Sequence, residues 1–245
     1  MKRIRRIAGL AALLIATTST ATAQTGRGFV SVNGGALNGS QQVRQPTQNF
    51  DHALFGPERG SFESTYPAGG GTVFDIGGGV RVWRQLAVGG GVSRFRRQND
   101  LHVTAQLPHP FHFRQPRTIA TTESGVARDE TAVHLQVMWA STAGRSVEVA
   151  LFGGPSFFTV AQDVATGVTF SQTYPYDSAT FDGVLRGKPS EAGIGFNAGA
   201  DVGYYFSRHV GAGGTIRFTR ATVDLGGSAL EAGGLLASAG LRVRF

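Results

Sequence analysis

The densest chemistry in the 245-residue sequence lies in Leu107-Pro-His-Pro-Phe-His-Phe-Arg-Gln-Pro-Arg117, which holds His109, Phe111, His112, Phe113, Arg114 and Arg117. Rings and guanidinium groups on a proline-stiffened stretch make a surface suited to binding. His109 and His112 could also ligate a metal, but a zinc site takes three or four ligands, and no Cys or carboxylate stands close by in sequence. Packing of the segment on itself is the simpler expectation, and no metal or cofactor is expected. A second group, Arg94, Arg96 and Arg97, offers donors that match phosphate oxygens. Its plain alternative is a solvated base of a loop. Nucleophilic catalysis would need a Ser with a His in hydrogen-bond reach. Ser238 has no His near it in sequence, and only a folded arrangement could bring Ser31 or Ser238 to His134. The Gly-x-Ser-x-Gly elbow, His-Glu-x-x-His and phosphate loops are absent, so no catalytic residue is expected.

The elements that must position these groups begin with an N-terminus built for export. Lys2, Arg3, Arg5 and Arg6 precede an apolar run from Ile7 to Ala16 and the small-residue tail Ala21-Thr22-Ala23. This three-part plan predicts a signal peptide over 1–23, cleaved before Gln24, because the run is short of the roughly 20 apolar residues that span a membrane as a helix. Its removal leaves 19 basic against 16 acidic residues, +3 in place of +7. That is too weak a charge to indicate nucleic-acid binding. Zero Cys excludes a disulfide framework and an acylated lipoprotein cysteine.

Residues 24–245 read with period two. Strands are expected near Phe29 to Leu37, Thr72 to Trp83, Leu86 to Val92, Thr131 to Trp139, Val147 to Leu151, Gly193 to Phe206, Val210 to Phe218 and Leu235 to Phe245. In each, one face is apolar and the other mostly Gly, Ser, Thr or Asn, as a lipid-facing barrel strand requires. The connections alternate in length. Tight turns fall near Trp83 to Gln85, Thr142 to Arg145 and Ser207 to His209. Long external loops are expected near 38–70, 97–127 and 155–191, with a shorter link near 226–231. The expectation is an all-β, antiparallel up-and-down transmembrane β-barrel of eight strands with both termini in the periplasm. Ten strands is the alternative, because Leu101, Val103, Ala105 and Leu107 alternate inside the second loop. A soluble sandwich is the other, disfavoured because its water-facing side should be charged.

On these residues the chain resembles the small outer-membrane β-barrel family, similar to the OmpA transmembrane domain and its eight-stranded relatives. The terminal Leu241-Arg-Val-Arg-Phe245 looks like that family's assembly signal, with Leu241, Val243 and Phe245 alternating to an aromatic end. The resemblance implies outer-membrane lipid and lipopolysaccharide as surroundings, and the barrel-assembly machinery and periplasmic chaperones as partners during biogenesis.

Strand parity then assigns an inward set of charges: Asp75, Glu130, Glu148 and Asp201 against Arg81, Arg217, Arg242 and Arg244, with His134 among them. Asp201 should face Thr215 and lie diagonal to Arg217. Balanced charge in a narrow lumen reads as a polar plug. The expected function is non-enzymatic, a structural or surface-binding role through the external loops. A narrow passive pore is the alternative and a lipid-modifying enzyme the third reading.

Overall fold

The structure, a computed structural model, describes residues 28–39, 58–67, 69–224 and 229–245, with the backbone alone at 42–44 and 47–50. The expected signal peptide therefore lies outside the described residues. Thirteen strands follow one another: β1 Gly28–Gly39, β2 Gln42–Arg44, β3 Thr47–Phe50, β4 Glu58–Tyr66, β5 Gly69–Trp83, β6 Leu86–Leu107, β7 Arg117–Ala143, β8 Val147–Gln162, β9 Val164–Ser171, β10 Thr180–Gly187, β11 Ser190–Tyr205, β12 Val210–Asp224 and β13 Ala229–Arg244.

Eight of them close into a ring in the order β1, β5, β6, β7, β8, β11, β12, β13, every pair antiparallel. Closure of β13 on β1 runs from Phe29 opposite Arg244 to Asn38 opposite Leu235. The ring has eight strands and not ten, because the alternating residues 101–107 prolong β6 above the ring and add no new staves to it.

Parity decides what each face meets. Val30, Val32, Phe74, Ile76, Val88, Val133, Leu135, Val137, Leu151, Phe196, Val202, Ile216, Phe218, Leu241 and Val243 all point outward and are exposed in the isolated chain. At the end that carries the tight turns, the belt finishes in Trp83, Trp139, Tyr204, Phe206 and Phe245. At the other end it gives way to outward Arg94, Arg96, Asp129 and Arg220. An apolar band with aromatic edges around a closed barrel is how strands cross a bilayer, since closure leaves no unpaired backbone in lipid.

The three long connections hold more regular structure than expected. Residues 97–107 and 117–127 belong to β6 and β7, leaving only a short tip between them, and β9 and β10 form a separate hairpin within 155–191. A bulge at Ser124–Gly125 makes this prolongation possible: Leu101 pairs with Glu123 where Asn99 pairs with Val126, and Gly125 supplies the positive φ of 74°. The extra residue reverses which parity of β7 faces inward, so that Val126 and then Arg117 are both buried. With β4 hydrogen-bonded along β6, the prolonged strands make a sheet that packs on the β9–β10 hairpin. The interior of this head is apolar: Phe62, Tyr66, Leu101, Val103, Ala105, Leu107, Val126, Ala165 and Val168 are buried, with Phe170 and Phe181 against them.

Strand β8 also runs further than its pattern suggested. Pro155 lacks the N–H for a ladder bond and would normally end a central strand. Here β8 passes through it to Gln162. The β7–β8 ladder is interrupted between His134/Ser156 and Val137/Gly153, and the Asn197 side chain fills the gap from β11. Its Nδ2 donates to Gly154 O (3.0 Å), Pro155 O (3.3 Å) and Leu135 O (3.4 Å).

Candidate functional site

The lumen is crossed by one connected set of hydrogen bonds that begins at β12 and ends at β11. Arg217 Nη1 donates to Asp75 Oδ2 (2.7 Å), and Asn33 Nδ2 donates to the other Asp75 oxygen (3.1 Å). Asn33 Oδ1 accepts from Arg242 Nη1 (2.8 Å), Arg242 Nε donates to Asp201 Oδ1 (3.0 Å), and Thr215 donates to Asp201 Oδ2. Asp201 is opposite Thr215 in the ladder, but its cation is Arg242, while Arg217 turns to Asp75. The sequence expectation of an Asp201–Arg217 diagonal took in one hairpin and missed partners brought from across the barrel. Small inward residues make room for the guanidinium groups. A Cβ at Gly213 would stand 2.9 Å from Arg242 Nε, and one at Gly199 2.6 Å from the Phe152 ring, which lies under Arg217 at 5.4 Å.

Toward the head, His134 is fully enclosed between Ser93 Oγ (2.9 Å from Nε2) and Ser156 Oγ (2.8 Å from Nδ1). Asn197 Nδ2 donates to Ser156 Oγ (2.9 Å), and Gln136 Nε2 to Asn197 Oδ1 (3.1 Å). The hydroxyls beside His134 are thus Ser93 and Ser156. Ser31 instead donates to Gly77 O, and Ser238 Oγ is buried without a partner. A Ser–His contact can do acyl chemistry only with room for substrate, and the cavity reaching Ser93 measures about 20 Å³, room for about one water.

Above this layer Leu37, Val73, Phe95 and Leu236 fill the bore. Next, Arg128 Nε donates to Glu130 Oε1 (2.6 Å), Glu130 Oε2 accepts from Gly233 N (3.0 Å), and Arg128 Nη2 donates to Glu231 O (2.9 Å). Arg97 is buried beside them and donates to Gly69 O (2.9 Å), so it departs from the phosphate-facing group. Odd positions of β6 face inward. Arg94 and Arg96 do point outward at the upper edge of the belt, Arg96 toward Asp129 (2.9 Å), which Lys188 also approaches (3.6 Å).

At the turn end the lumen opens into a vestibule of about 400 Å³. Arg81 and Glu148 pair across it at 3.1 Å, and Arg244 lies 4.0 Å over the Tyr205 ring with its Nε on Arg208 O (2.7 Å).

At the apex of the head, His109 and Arg117 are buried. His109 Nδ1 accepts from the N–H groups of Phe111 (3.1 Å) and His112 (3.2 Å), closing the tip turn. Burial, then the neighbouring His112 and Arg117, hold its pKa below the usual imidazole value. Arg117 ties two loops together, donating to Pro108 O (2.8 Å), Tyr176 O (2.8 Å) and Ser178 O (3.4 Å). Both therefore build the tip and do not face outward. Phe111, His112, Phe113 and Arg114 are exposed; Phe111 meets Tyr176 from the β9–β10 connection, Tyr176 stacks edge-on with Tyr174, and Arg114 lies over Phe113. The two tyrosines escaped sequence reading because nothing local links 174–176 to 109–117. Among the described residues no group of three or more His, Asp or Glu could hold a metal ion.

An outward apolar belt on a closed antiparallel ring, with the bore filled by side chains, defines a small membrane-spanning β-barrel. No family model and no curated protein sequence matches the chain. Solved structures that it resembles include Neisserial surface protein A (12% identity, TM-score 0.43, covering 89% of this chain and 97% of that one). They also include the outer membrane protein OprG from Pseudomonas aeruginosa (11% identity, TM-score 0.43, covering 91% and 97%) and the N-terminal β-barrel domain of OprF from the same organism (12%, 0.39, 91% and 100%). At these identities the likeness concerns the course of the strands and assigns no residue a role.

Proposed function

We propose that this chain is an integral outer-membrane barrel that acts at the cell surface through its external head, its lumen serving as a plug. The observation that supports this is the head itself: β4, the prolonged β6–β7 hairpin and β9–β10 enclose their own apolar core over a bore already closed by paired charges. Loops that merely joined strands would not need that core. In this reading the tight turns face the periplasm, and Phe111, Phe113, Arg114 and Tyr174 form the contact surface on a rigid base. Arg94 and Arg96 lie where glycolipid phosphates would meet the barrel wall. Leu241, Val243 and Phe245 form an outward alternating row of the type the barrel-assembly machinery would read after chaperone delivery. The ion pairs across the bore weigh against a solute conduit, and the enclosed Ser93–His134 contact weighs against an enzyme.

Cells displaying the protein and cells displaying Phe113→Ser/Tyr174→Ser are compared for retention on a panel of immobilised glycans and proteins. Both side chains are exposed, so folding is left intact. Retention lost only in the double variant is the expected result; equal retention of both by every surface would overturn the surface-binding reading.

A further inference from the structure

The vestibule at the turn end is not accounted for by a plug. Its walls differ from side to side. Ala87, Met138, Ala140 and Ala150, on β6, β7 and β8, form a small-residue apolar wall that Phe29 extends. Across from it stand the charged groups of β11 and β13. The floor is sealed by the Arg242–Asp201 pair, so the space is a blind pocket. Among its lining charges, Arg81 is matched by Glu148 and Arg242 by Asp201. Arg208 and Arg244, at the mouth, pair with no Asp or Glu among the described residues, and the one further anion there, the terminal carboxylate of Phe245, accepts from Gly28 N (3.0 Å), so two arginines stand against a single carboxylate.

We propose that this vestibule is a binding site for a small amphipathic anion, whose carboxylate, sulfonate or phosphate is held by Arg208 and Arg244 and whose short apolar body lies on the alanine wall. Three features converge on that chemistry. The volume, about 400 Å³, is within the roughly 300 to 1,000 Å³ typical of small-ligand pockets. The alanines remove side-chain volume where the layers above are filled by His134, Phe152 and Phe158. The surplus charge at the mouth is positive, and guanidinium groups suit oxyanions. A water-filled end of a barrel would gain nothing from an apolar wall facing an excess of arginine. The site stands whichever way the barrel is inserted, so it is independent of the surface role proposed above.

Met138 supplies the reporter. The sequence has two methionines, Met1 and Met138, and the second lines the pocket. Full-length protein labelled at the methionine methyl carbon, in nanodiscs of zwitterionic lipid, is titrated with octanoate, hexanoate and octylammonium. Octanoate is expected to shift the Met138 methyl resonance saturably. Hexanoate, two methylenes shorter, should bind roughly tenfold more weakly, and octylammonium should give no saturable shift. Ala140→Leu, which fills the wall, should weaken octanoate at least about tenfold, and Arg208→Glu roughly fivefold. Arg208 is an exposed turn residue, so its variant keeps the test valid if Ala140→Leu fails to assemble. Absence of a saturable shift with octanoate, or equal response to octanoate and octylammonium, would overturn the proposal, as would an Arg208→Glu variant that binds octanoate unchanged.

Discussion

Removing one partner of the Asp75–Arg217 pair should destabilise the barrel far more than removing both. The two side chains meet at 2.7 Å through Arg217 Nη1 with Asp75 1% and Arg217 4% exposed, and Arg217 Nε is buried without a hydrogen-bond partner. Asp75→Ala therefore strands a buried guanidinium, a loss of about 3–5 kcal/mol for a broken buried pair. The Phe152 ring lies under Arg217 with or without Asp75, so its cation–π attraction leaves that difference at about 3–5 kcal/mol. Asp75→Ala/Arg217→Met removes both charges and keeps the volume of the long side chain, so it should lie within about 1–2 kcal/mol of the parent. The coupling energy is then at least about 1 kcal/mol in favour of the pair. Urea unfolding from lipid bilayers, followed by fluorescence of the two tryptophans at the belt edge, Trp83 and Trp139, measures all four corners of the cycle. If Asp75→Ala cost less than about 1 kcal/mol, or the double variant were no better than the single, the pair would not be the desolvated contact described here.

Asn197→Ala should cost about 1–3 kcal/mol by the same assay, since it leaves the Leu135, Gly154 and Pro155 carbonyls without the amide that bridges the Pro155 interruption; a loss under a few tenths would contradict that role. Because His109 is held below its usual pKa, the folded tip binds fewer protons than the open one, so its stability is complete above the ordinary imidazole pKa and declines as pH falls through the depressed value. Amide exchange at 109–116, corrected for intrinsic rates, should therefore quicken between neutral pH and about pH 4.5, and unchanged protection would contradict it. Arg94→Glu/Arg96→Glu should leave folding intact and reduce co-purifying lipopolysaccharide roughly fivefold, with unchanged lipid content removing the phosphate role.

The period-two pattern carried the barrel, because a side chain's face follows from its position along a strand and nothing else. Inward Asp75, Arg81, Glu130, Glu148, Asp201, Arg217, Arg242 and Arg244 were legible for that reason. Their pairings were not, since Arg217 and Asp75 are brought together by ring closure across 142 positions. Parity also placed Arg97 inside once β6 was followed to its end, which grouping by charge had obscured. Pro155 runs counter to its residue type: proline is a sound strand-breaking signal, and its place inside β8 depends on Asn197, a residue 42 positions away. The head was hidden because its sheet and its covering hairpin come from three separate connections, and the Gly125 bulge disguises the alternation of β7. Arg128 was overlooked although it shares the inward parity of Glu130 two residues on.

The central claim is that paired side chains close the bore, and single-channel recording in planar bilayers tests it most directly. The native protein should give no conductance steps. Steady single-channel steps from the native protein would contradict it.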